Sequence, residues 1–204
     1  MTETKDNIST FYASSRKAWR EWLKKNGKKE KSVWLIIYKK ESGTPSVYYG
    51  EAVDEALCFG WIDSKANKRD EKSYYQFFAR RNPKSSWSRV NKQKVSILLE
   101  QGLMDATGLA AIETAKKNGA WSALDEVEDL VIPADLQAAL KKNKEAMKHF
   151  AAFPKSVKRG ILEWISNAKR TETRTKRIDE TVALAEENIR ANQYKPKKKQ
   201  KDDK

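Results

Sequence analysis

The sequence is poor in the residues that build covalent and metal-bound cross-links. It has one cysteine and one histidine among 204 residues. These counts exclude a disulfide framework within the chain and a zinc site made of several Cys and His ligands, and they fit a reducing compartment. No apolar run approaches the ~18 residues that a membrane-spanning helix requires, and no apolar core of a secretory signal follows Met1. We therefore expect a cytoplasmic protein without a membrane span.

Motifs that carry out catalysis are also lacking. The sequence has no phosphate-binding Gly-rich loop, dinucleotide fingerprint, zinc-protease helix, nucleophilic Ser elbow or EF-hand loop. Cys58 lies near the end of a predicted helix, where the macrodipole disfavours a thiolate, and we interpret it as a buried, inert thiol. His149 has no carboxylate or Ser partner nearby in the sequence, so we interpret it as structural. We predict no catalytic residues, metal ligands or cofactor, and favour a non-enzymatic protein while leaving enzymatic activity open.

Positive charge is abundant. Lys and Arg number 42 against 28 acidic residues, which gives a net charge of +14. This balance favours an anionic ligand or protein partner, with nucleic acid as an alternative. Residues 194–204 form a Lys-rich tail without a hydrophobic core pattern, and we expect them to be disordered. The rest of the chain, with 39% hydrophobic residues and seven Trp, can form a real core.

Hydrophobic spacing predicts an α+β domain over residues 1–125. Its elements are helices at about 15–25 and 49–59, a buried strand at 33–38, a basic hairpin over 61–79, and helices at 89–101 and 105–118. Residues 130–193 read as an all-helical subdomain that follows the acidic link 125–129. The predicted fold is therefore N-terminal helices around a small sheet with a basic hairpin, followed by a C-terminal all-helical unit.

Four segments carry a family resemblance. They are Glu51-Ala-Val-Asp-Glu-Ala-Leu-Cys-Phe-Gly-Trp-Ile-Asp63, Ser86-Trp-Ser-Arg-Val-Asn91, the pair Gly102-Leu-Met and Gly108-Leu, and Trp164-Ile-Ser-Asn-Ala-Lys-Arg-Thr-Glu-Thr-Arg-Thr-Lys-Arg-Ile178. In this order, over about residues 10–190, the chain resembles the YdeI/OmpD-associated family, also called bacteriocin-protection proteins. The resemblance implies a role in protection against bacteriocins or cationic peptides, in association with a porin, and no established reaction.

The segment from Asp63 to Lys94 is basic and aromatic. It contains ten Lys or Arg against three acidic residues, a local balance of +7, interleaved with five aromatic side chains. Such a pattern suits a phosphate-bearing ligand or single-stranded nucleic acid, through ion pairing and stacking. It equally suits a hairpin whose aromatic side chains fill the core while Lys and Arg face water. The sequence leaves both interpretations open.

A candidate anion site lies in and beside this hairpin. Ser88 is a predicted helix cap, and free N–H groups at a helix start favour anions. Alternatively, Asp63 pairs with Arg69 or Arg80 to fix the hairpin, and Asn91 satisfies a loop carbonyl. The candidate residues, which also include a proposed pocket wall at Trp87, are Trp61, Asp63, Lys65, Arg69, Arg80, Ser86, Trp87, Ser88 and Asn91.

A second basic edge is predicted in the last helix. At 100° per residue, Arg170, Arg174 and Arg177 fall on one edge beside the apolar stripe. They either tie the helix to acidic residues, in the stretch 125–129 or at Glu163, or they form an anion site.

Three functions follow as hypotheses. The first is a non-enzymatic cytoplasmic protein of the stress or bacteriocin-protection type with an anion-binding surface. The second is a nucleic-acid-binding protein that uses the tail together with Arg69, Arg80, Arg81 and Lys84. The third is a small-molecule enzyme or sensor for a phosphorylated ligand, with its pocket between Trp61, Trp87 and the helix start at Ser88.

Overall fold

The computed structural model describes residues 3–193 and has an α+β fold, as predicted. The chain divides into two compact units, Met1–Ala123 and Leu124–Lys204, here called the N-terminal and C-terminal units. A five-stranded sheet with helices forms the first, and helices form the described part of the second. The predicted disorder at 194–204 lies outside the described residues. Within residues 3–193, no helix combines the length and hydropathy of a membrane span.

The sheet of the N-terminal unit contains one parallel and three antiparallel strand pairs in the order β1-β2-β3-β5-β4. Its strands are β1 (Thr4–Lys5), β2 (Ile8–Tyr12), β3 (Ser32–Tyr38), β4 (Trp61–Lys68) and β5 (Ser73–Arg80). The five residues 33–37 of β3 are all buried, as expected for a central strand. β4 and β5 form the predicted hairpin.

Four helices accompany the sheet in this unit: α1 (Arg16–Asn26), α2 (Tyr49–Cys58), α3 (Arg89–Glu100) and α4 (Ala106–Lys117). The Ser15 side chain caps α1 by accepting from Ala18 N. One face of the sheet joins buried side chains of these helices in a single hydrophobic cluster, which includes Trp19, Leu57 and Phe78. Burial of this surface is the main stabilising contribution to the unit.

Two glycines allow α4 to approach the end of α2. A Cβ at Gly108 would lie 2.2 Å from the carbonyl oxygen of Cys58, so only glycine fits at this contact. Gly60 has a φ of +72°, a conformation that favours glycine, and it turns the chain from α2 into β4. Asp105 N donates to the same Cys58 oxygen at 3.0 Å. The start of α4 is therefore fixed beside the end of α2.

The C-terminal unit has its own core. Its helices are α5 (Asp125–Glu128), α6 (Ala134–Lys141), α7 (Lys144–Ala152), α8 (Lys155–Ser166) and α9 (Thr171–Glu186). Apolar side chains at helical spacing, including Leu136, Phe150, Ile161 and Ile165, are buried together in a second cluster. The acidic segment that we expected to be a link contains the short helix α5.

Candidate functional site

Trp61 and Arg80 face each other across the hairpin and both serve the fold. Their Cα atoms are partners in the β4/β5 register. Trp61 is fully buried, and its Nε1 donates to Gly27 O at 3.2 Å. Arg80 donates through Nε to Glu30 O at 2.8 Å and through Nη2 to Lys29 O at 3.4 Å. These contacts fasten the end of the hairpin to the segment before β3.

Asp63 and Arg69 lie towards opposite ends of the hairpin. They are six positions apart in the sequence, which corresponds to roughly 20 Å of extended chain. The Asp63 carboxylate accepts from the Tyr49 hydroxyl at 2.7 Å, and burial together with this bond raises the pKa of Tyr49 to about 12. Arg69 pairs with Glu3 at 3.0 Å and with Asp70 at 3.1 Å. The suggested pair between Asp63 and Arg69 is therefore wrong, and the predicted polar residues do not share one cleft.

The remaining predicted residues divide between the hairpin and the start of α3. Lys65 Nζ lies 5.3 Å from the centre of the Trp34 ring. The Ser88 side chain caps α3 as predicted, accepting from Asn91 N at 3.3 Å. The Ser86 carbonyl accepts a hydrogen bond from Arg81, and this contact leads to a cavity that the sequence did not identify.

A cavity of about 230 Å³ lies between the segment after β5 and one face of α4. We call it the Arg81 cavity. Its walls are Arg81, Asn82, Pro83 and Trp87 on one side and Thr107, Ala110, Ala111, Thr114 and Ala115 on the other. Three of the five α4 residues in the wall are alanines. Arg81 carries the one formal charge among the lining residues, beside apolar groups and the polar side chains of Asn82, Thr107 and Thr114.

Backbone and side-chain contacts hold the 81–87 loop in place. Arg81 N donates to Gly60 O at 2.9 Å, and Trp87 N donates to Ala120 O at 3.2 Å. The Asn118 amide donates to Pro83 O at 2.8 Å. The loop is thus attached both to the turn after α2 and to the end of α4. A site built on such a fixed loop needs little ordering when a ligand arrives.

Arg81 is the distinctive group of the cavity. Its Cζ lies 3.7 Å from the centre of the Trp87 ring, a cation–π contact, and its Nη2 donates to Ser86 O. Its Nε and Nη1 are buried and have no acceptor among residues 3–193. Burial lowers the pKa of Arg81 to about 10, so the side chain is still a cation at neutral pH. A buried cation with two donors that lack acceptors among residues 3–193 has the chemistry to bind an anion.

From the sequence, Arg81 was predicted only as one of the basic residues that would bind nucleic acid. The doublet Arg80-Arg81 at the end of a strand does not reveal which arginine is satisfied. The α4 wall carried no chemical signal, because Ala110 and Ala111 are ordinary helix residues. Trp87 lines the cavity, but the predicted pocket combined it with Trp61 and Ser88, and neither of these is among the lining residues. A signal that could have found Arg81 is the aromatic residue after a Pro-containing loop, which offers a cation a stacking partner.

Two of the three arginines on the basic edge of α9 make contacts within the C-terminal unit. Arg174 binds both oxygens of Asp135, through Nε at 2.6 Å and Nη2 at 2.9 Å. Arg177 donates to Trp164 O and lies over the Trp164 ring, 5.0 Å from its centre. Arg170 precedes the first residue of α9 at the cap position. The prediction that Arg174 pairs with the acidic stretch 125–129 or with Glu163 is therefore wrong.

The other reactive side chains have structural surroundings. Cys58 is fully buried, and burial raises the pKa of its thiol. His149 Nδ1 lies 2.9 Å from Ala185 O. Within residues 3–193, no group of three or more His, Cys, Asp or Glu side chains could hold a metal ion. The Arg81 cavity is therefore the strongest candidate for a site in the described chain.

Family models match two separate parts of the chain, and the gap between the two matches includes the boundary between the N-terminal and C-terminal units. Residues 11–111 match the model of a domain of unknown function, DUF8412. The segments 51–63 and 86–91, part of the suspected family resemblance, lie within that match. No curated protein and no solved structure matches the chain. Residues 129–188 match the family described as bacteriocin-protection, YdeI or OmpD-associated, and over this part of the chain the resemblance to that family is confirmed.

Proposed function

We propose that the protein is a non-enzymatic, cytoplasmic anion-binding protein of the stress or bacteriocin-protection type, and that the anion binds in the Arg81 cavity. The observation that carries the proposal is the buried guanidinium with two donors that have no acceptor among residues 3–193. The family match at residues 129–188 supports the protective role. The net charge of +14 supports attraction of an anionic ligand.

The energetics of Arg81 favour a bound anion. A buried donor without an acceptor costs about 1–3 kcal/mol, and Arg81 has two such nitrogens. The Trp87 ring offsets part of this cost, since a desolvated cation–π contact contributes about 2 kcal/mol. An anion would neutralise the charge and accept from one of these donors together with the second proton of Nη2, because Nε and Nη1 lie on different edges of the planar guanidinium. A residue that is costly in the free protein and satisfied in the complex is typical of a binding site.

The direct test is stabilisation by simple anions. Acetate and inorganic phosphate are added to the full chain, to Arg81→Gln and to Arg80→Gln while the midpoint of thermal unfolding is measured at constant ionic strength. A ligand at about 100 times its Kd should add about 2.7 kcal/mol of stability. We expect stabilisation of the wild type and Arg80→Gln by at least one anion and none of Arg81→Gln. Equal responses of all three proteins would contradict the proposal.

Nucleic-acid binding is a second candidate, favoured by one face of the hairpin. Tyr75 and Phe77 lie on the face opposite the main core and are half-buried. Lys5 Nζ lies 5.3 Å from the centre of the Tyr75 ring, and the Arg69 guanidinium lies 5.9 Å from it. Cations beside aromatic rings can bind a single strand by ion pairing and stacking.

Salt titration tests this candidate. A labelled single-stranded oligonucleotide should bind at about 50 mM salt and dissociate steeply as salt rises, because each neutralised phosphate releases counterions. Phe77→Ala should weaken this binding, while Arg81→Gln should leave most of it. Absence of binding at low salt would eliminate the candidate.

A further inference from the structure

We infer that the anion held at Arg81 is a small monocarboxylate with an apolar body rather than a phosphate compound. This inference rests on the proposed function and specifies its ligand. Three features of the Arg81 cavity carry it: the number of charges, the arrangement of free donors, and the chemistry of the walls.

The charge count favours a single negative charge. Arg81 is the one Lys or Arg among the residues that line the cavity. A phosphate monoester carries about −1.5 to −2 at neutral pH, so one guanidinium would leave it incompletely neutralised between apolar walls. A carboxylate carries one charge and matches Arg81 one for one. The balance of charge therefore excludes a tightly bound dianion.

The usual phosphate cradle at a helix start is already occupied. Thr107, near the beginning of α4, donates its backbone N–H to the Asp105 carboxylate at 2.9 Å. At the start of α3, the Ser88 hydroxyl accepts from Asn91 N. Phosphate sites rely on such backbone donors. Because the protein's own side chains take them here, the arginine is left as the main recognition group.

The donors of Arg81 suit a carboxylate. Its plane is fixed on one face by the Trp87 ring and at Nη2 by the Ser86 carbonyl. Nε and Nη1 have no acceptor among residues 3–193, and Arg81 is one of the residues that line the cavity. Since Nε and Nη1 lie on different edges, a carboxylate would bond one of them together with the second proton of Nη2. A planar guanidinium held in one orientation binds carboxylate oxygens with little further loss of entropy.

The walls favour an apolar body. The Thr107 hydroxyl donates to Asp105 at 2.7 Å, and the Thr114 hydroxyl donates to Ala110 O at 2.8 Å. Neither hydroxyl proton is available to a sugar or a hydroxy acid, and the Asn82 side-chain oxygen already accepts from Lys84 N at 2.9 Å. The other three wall residues of α4 are alanines. An apolar cavity of about 150 Å³ is large enough for benzene. The Arg81 cavity, at about 230 Å³, has room for a ring of that size with its carboxylate.

Calorimetry with matched probes tests the inference on the full chain. Benzoate supplies the carboxylate on an apolar ring, phenyl phosphate replaces the carboxylate by a phosphate, and benzyl alcohol removes the charge. We expect benzoate to bind about tenfold more tightly than phenyl phosphate, and benzyl alcohol not to bind, since only benzoate matches a single buried cation. Arg81→Gln should lose benzoate binding, and Arg80→Gln should keep it.

The outcomes separate the inference from the proposed function. If phenyl phosphate binds as tightly as benzoate, and Arg81→Gln abolishes both, the carboxylate inference is overturned while the anion site stands. If neither acetate, inorganic phosphate, benzoate nor phenyl phosphate binds in a manner that depends on Arg81, both are overturned.

A second variant keeps the test decisive if Arg81→Gln does not fold. Ala110 is exposed on α4 and lines the cavity, so Ala110→Leu should fold and fill the space while leaving Arg81 in place. We expect it to weaken benzoate binding about tenfold, because steric exclusion removes the apolar contact. Unchanged benzoate affinity in Ala110→Leu would overturn the inference.

Discussion

Two arginines, one in each unit, are bound in opposite ways. In the C-terminal unit, Arg174 is matched by both oxygens of Asp135, at 2.6 and 2.9 Å. In the N-terminal unit, Arg81 stacks on Trp87, and two of its nitrogens have no acceptor among residues 3–193. The first charge is neutralised within its own unit, whereas the second has no carboxylate partner among the described residues.

The difference shows that positive charge does not locate a binding site by itself. Arg80 and Arg81 are adjacent in a strongly basic segment, yet Arg80 donates to the carbonyls of Glu30 and Lys29 and is satisfied. What distinguishes Arg81 is that its Nε and Nη1 have no acceptor among the described residues. An account of donors and acceptors therefore separates a structural arginine from a candidate receptor where a count of charges cannot.

The largest effect is expected when arginines that are paired with a carboxylate lose it and so come to resemble Arg81. Glu55 is 2% exposed and binds Arg16 and Arg20, each at 2.6 Å. Glu55→Gln removes the buried negative charge that both Arg16 and Arg20 bind directly. We expect a loss of about 3 kcal/mol in the free energy of unfolding by urea, since breaking a buried pair leaves an uncompensated charge.

The control for Glu55 is its neighbour Asp54, which pairs with Lys94 nearer the surface. Asp54→Asn should cost no more than about 1 kcal/mol, because both side chains of this pair are partly exposed and solvent weakens the interaction. If Glu55→Gln cost no more than Asp54→Asn, burial would not govern the strength of charge pairing in this unit, and the contrast with Arg81 would lose its basis.

The next substitution is expected to stabilise the protein rather than destabilise it. Arg81→Met replaces a cation that lacks a carboxylate by an apolar side chain of similar length. In the absence of ligand, we expect the free energy of unfolding by urea to rise by about 1.5 kcal/mol, because two unsatisfied donors are removed. Arg80→Met is the matched control, and it should be neutral or destabilising since it loses bonds to carbonyls. Destabilisation by Arg81→Met would identify Arg81 as a structural clamp.

Local patterns predicted much of the fold. The run at 33–38, the hairpin and the Ser88 cap are sequence-local features, and the structure contains all three. The short strands β1 and β2 were missed. Ile8–Tyr12 mixes apolar and hydroxyl residues, and its parallel pairing with β3 depends on a contact distant in the sequence. Pairing of that kind has no signature in a single segment.

The sequence pointed to residues near the candidate site but did not predict the site itself. Trp87 and Ser86 lie at the 81–87 loop, but the facing wall comes from α4, more than twenty residues later. The approach of α4 depends on Gly108 against the Cys58 carbonyl, a long-range contact that hydrophobic periodicity does not encode. Whether the Arg81 donors are satisfied depends on which acceptors lie near them, and only the folded structure shows this.

A smaller effect is expected from the satisfied arginine. Asp135→Asn removes the counter-charge of Arg174, and both side chains are partly exposed. We expect a loss of about 1 kcal/mol in the free energy of unfolding, near the upper end for such pairs because the contact is bidentate. The comparison variant is Glu145→Gln, whose partner Lys148 lies one helical turn away at 3.3 Å. If Asp135→Asn lowered the free energy of unfolding no more than Glu145→Gln does, the Arg174–Asp135 pair would be as weak as an ordinary surface pair.

The smallest effect is the pH dependence of the same pair. The hydrogen bond from Arg174 lowers the pKa of Asp135 below its ordinary value of 3.8. A carboxyl whose pKa is lowered on folding stabilises the protein above its ordinary pKa, and this contribution is lost as the pH falls through the lowered value. The stability difference between wild type and Asp135→Asn should therefore be constant at neutral pH and shrink as the pH falls below 3.8. Urea titrations of both proteins across this range measure it. A difference that grew on acidification would contradict the sign, and would mean that the charged carboxylate is not what Arg174 stabilises.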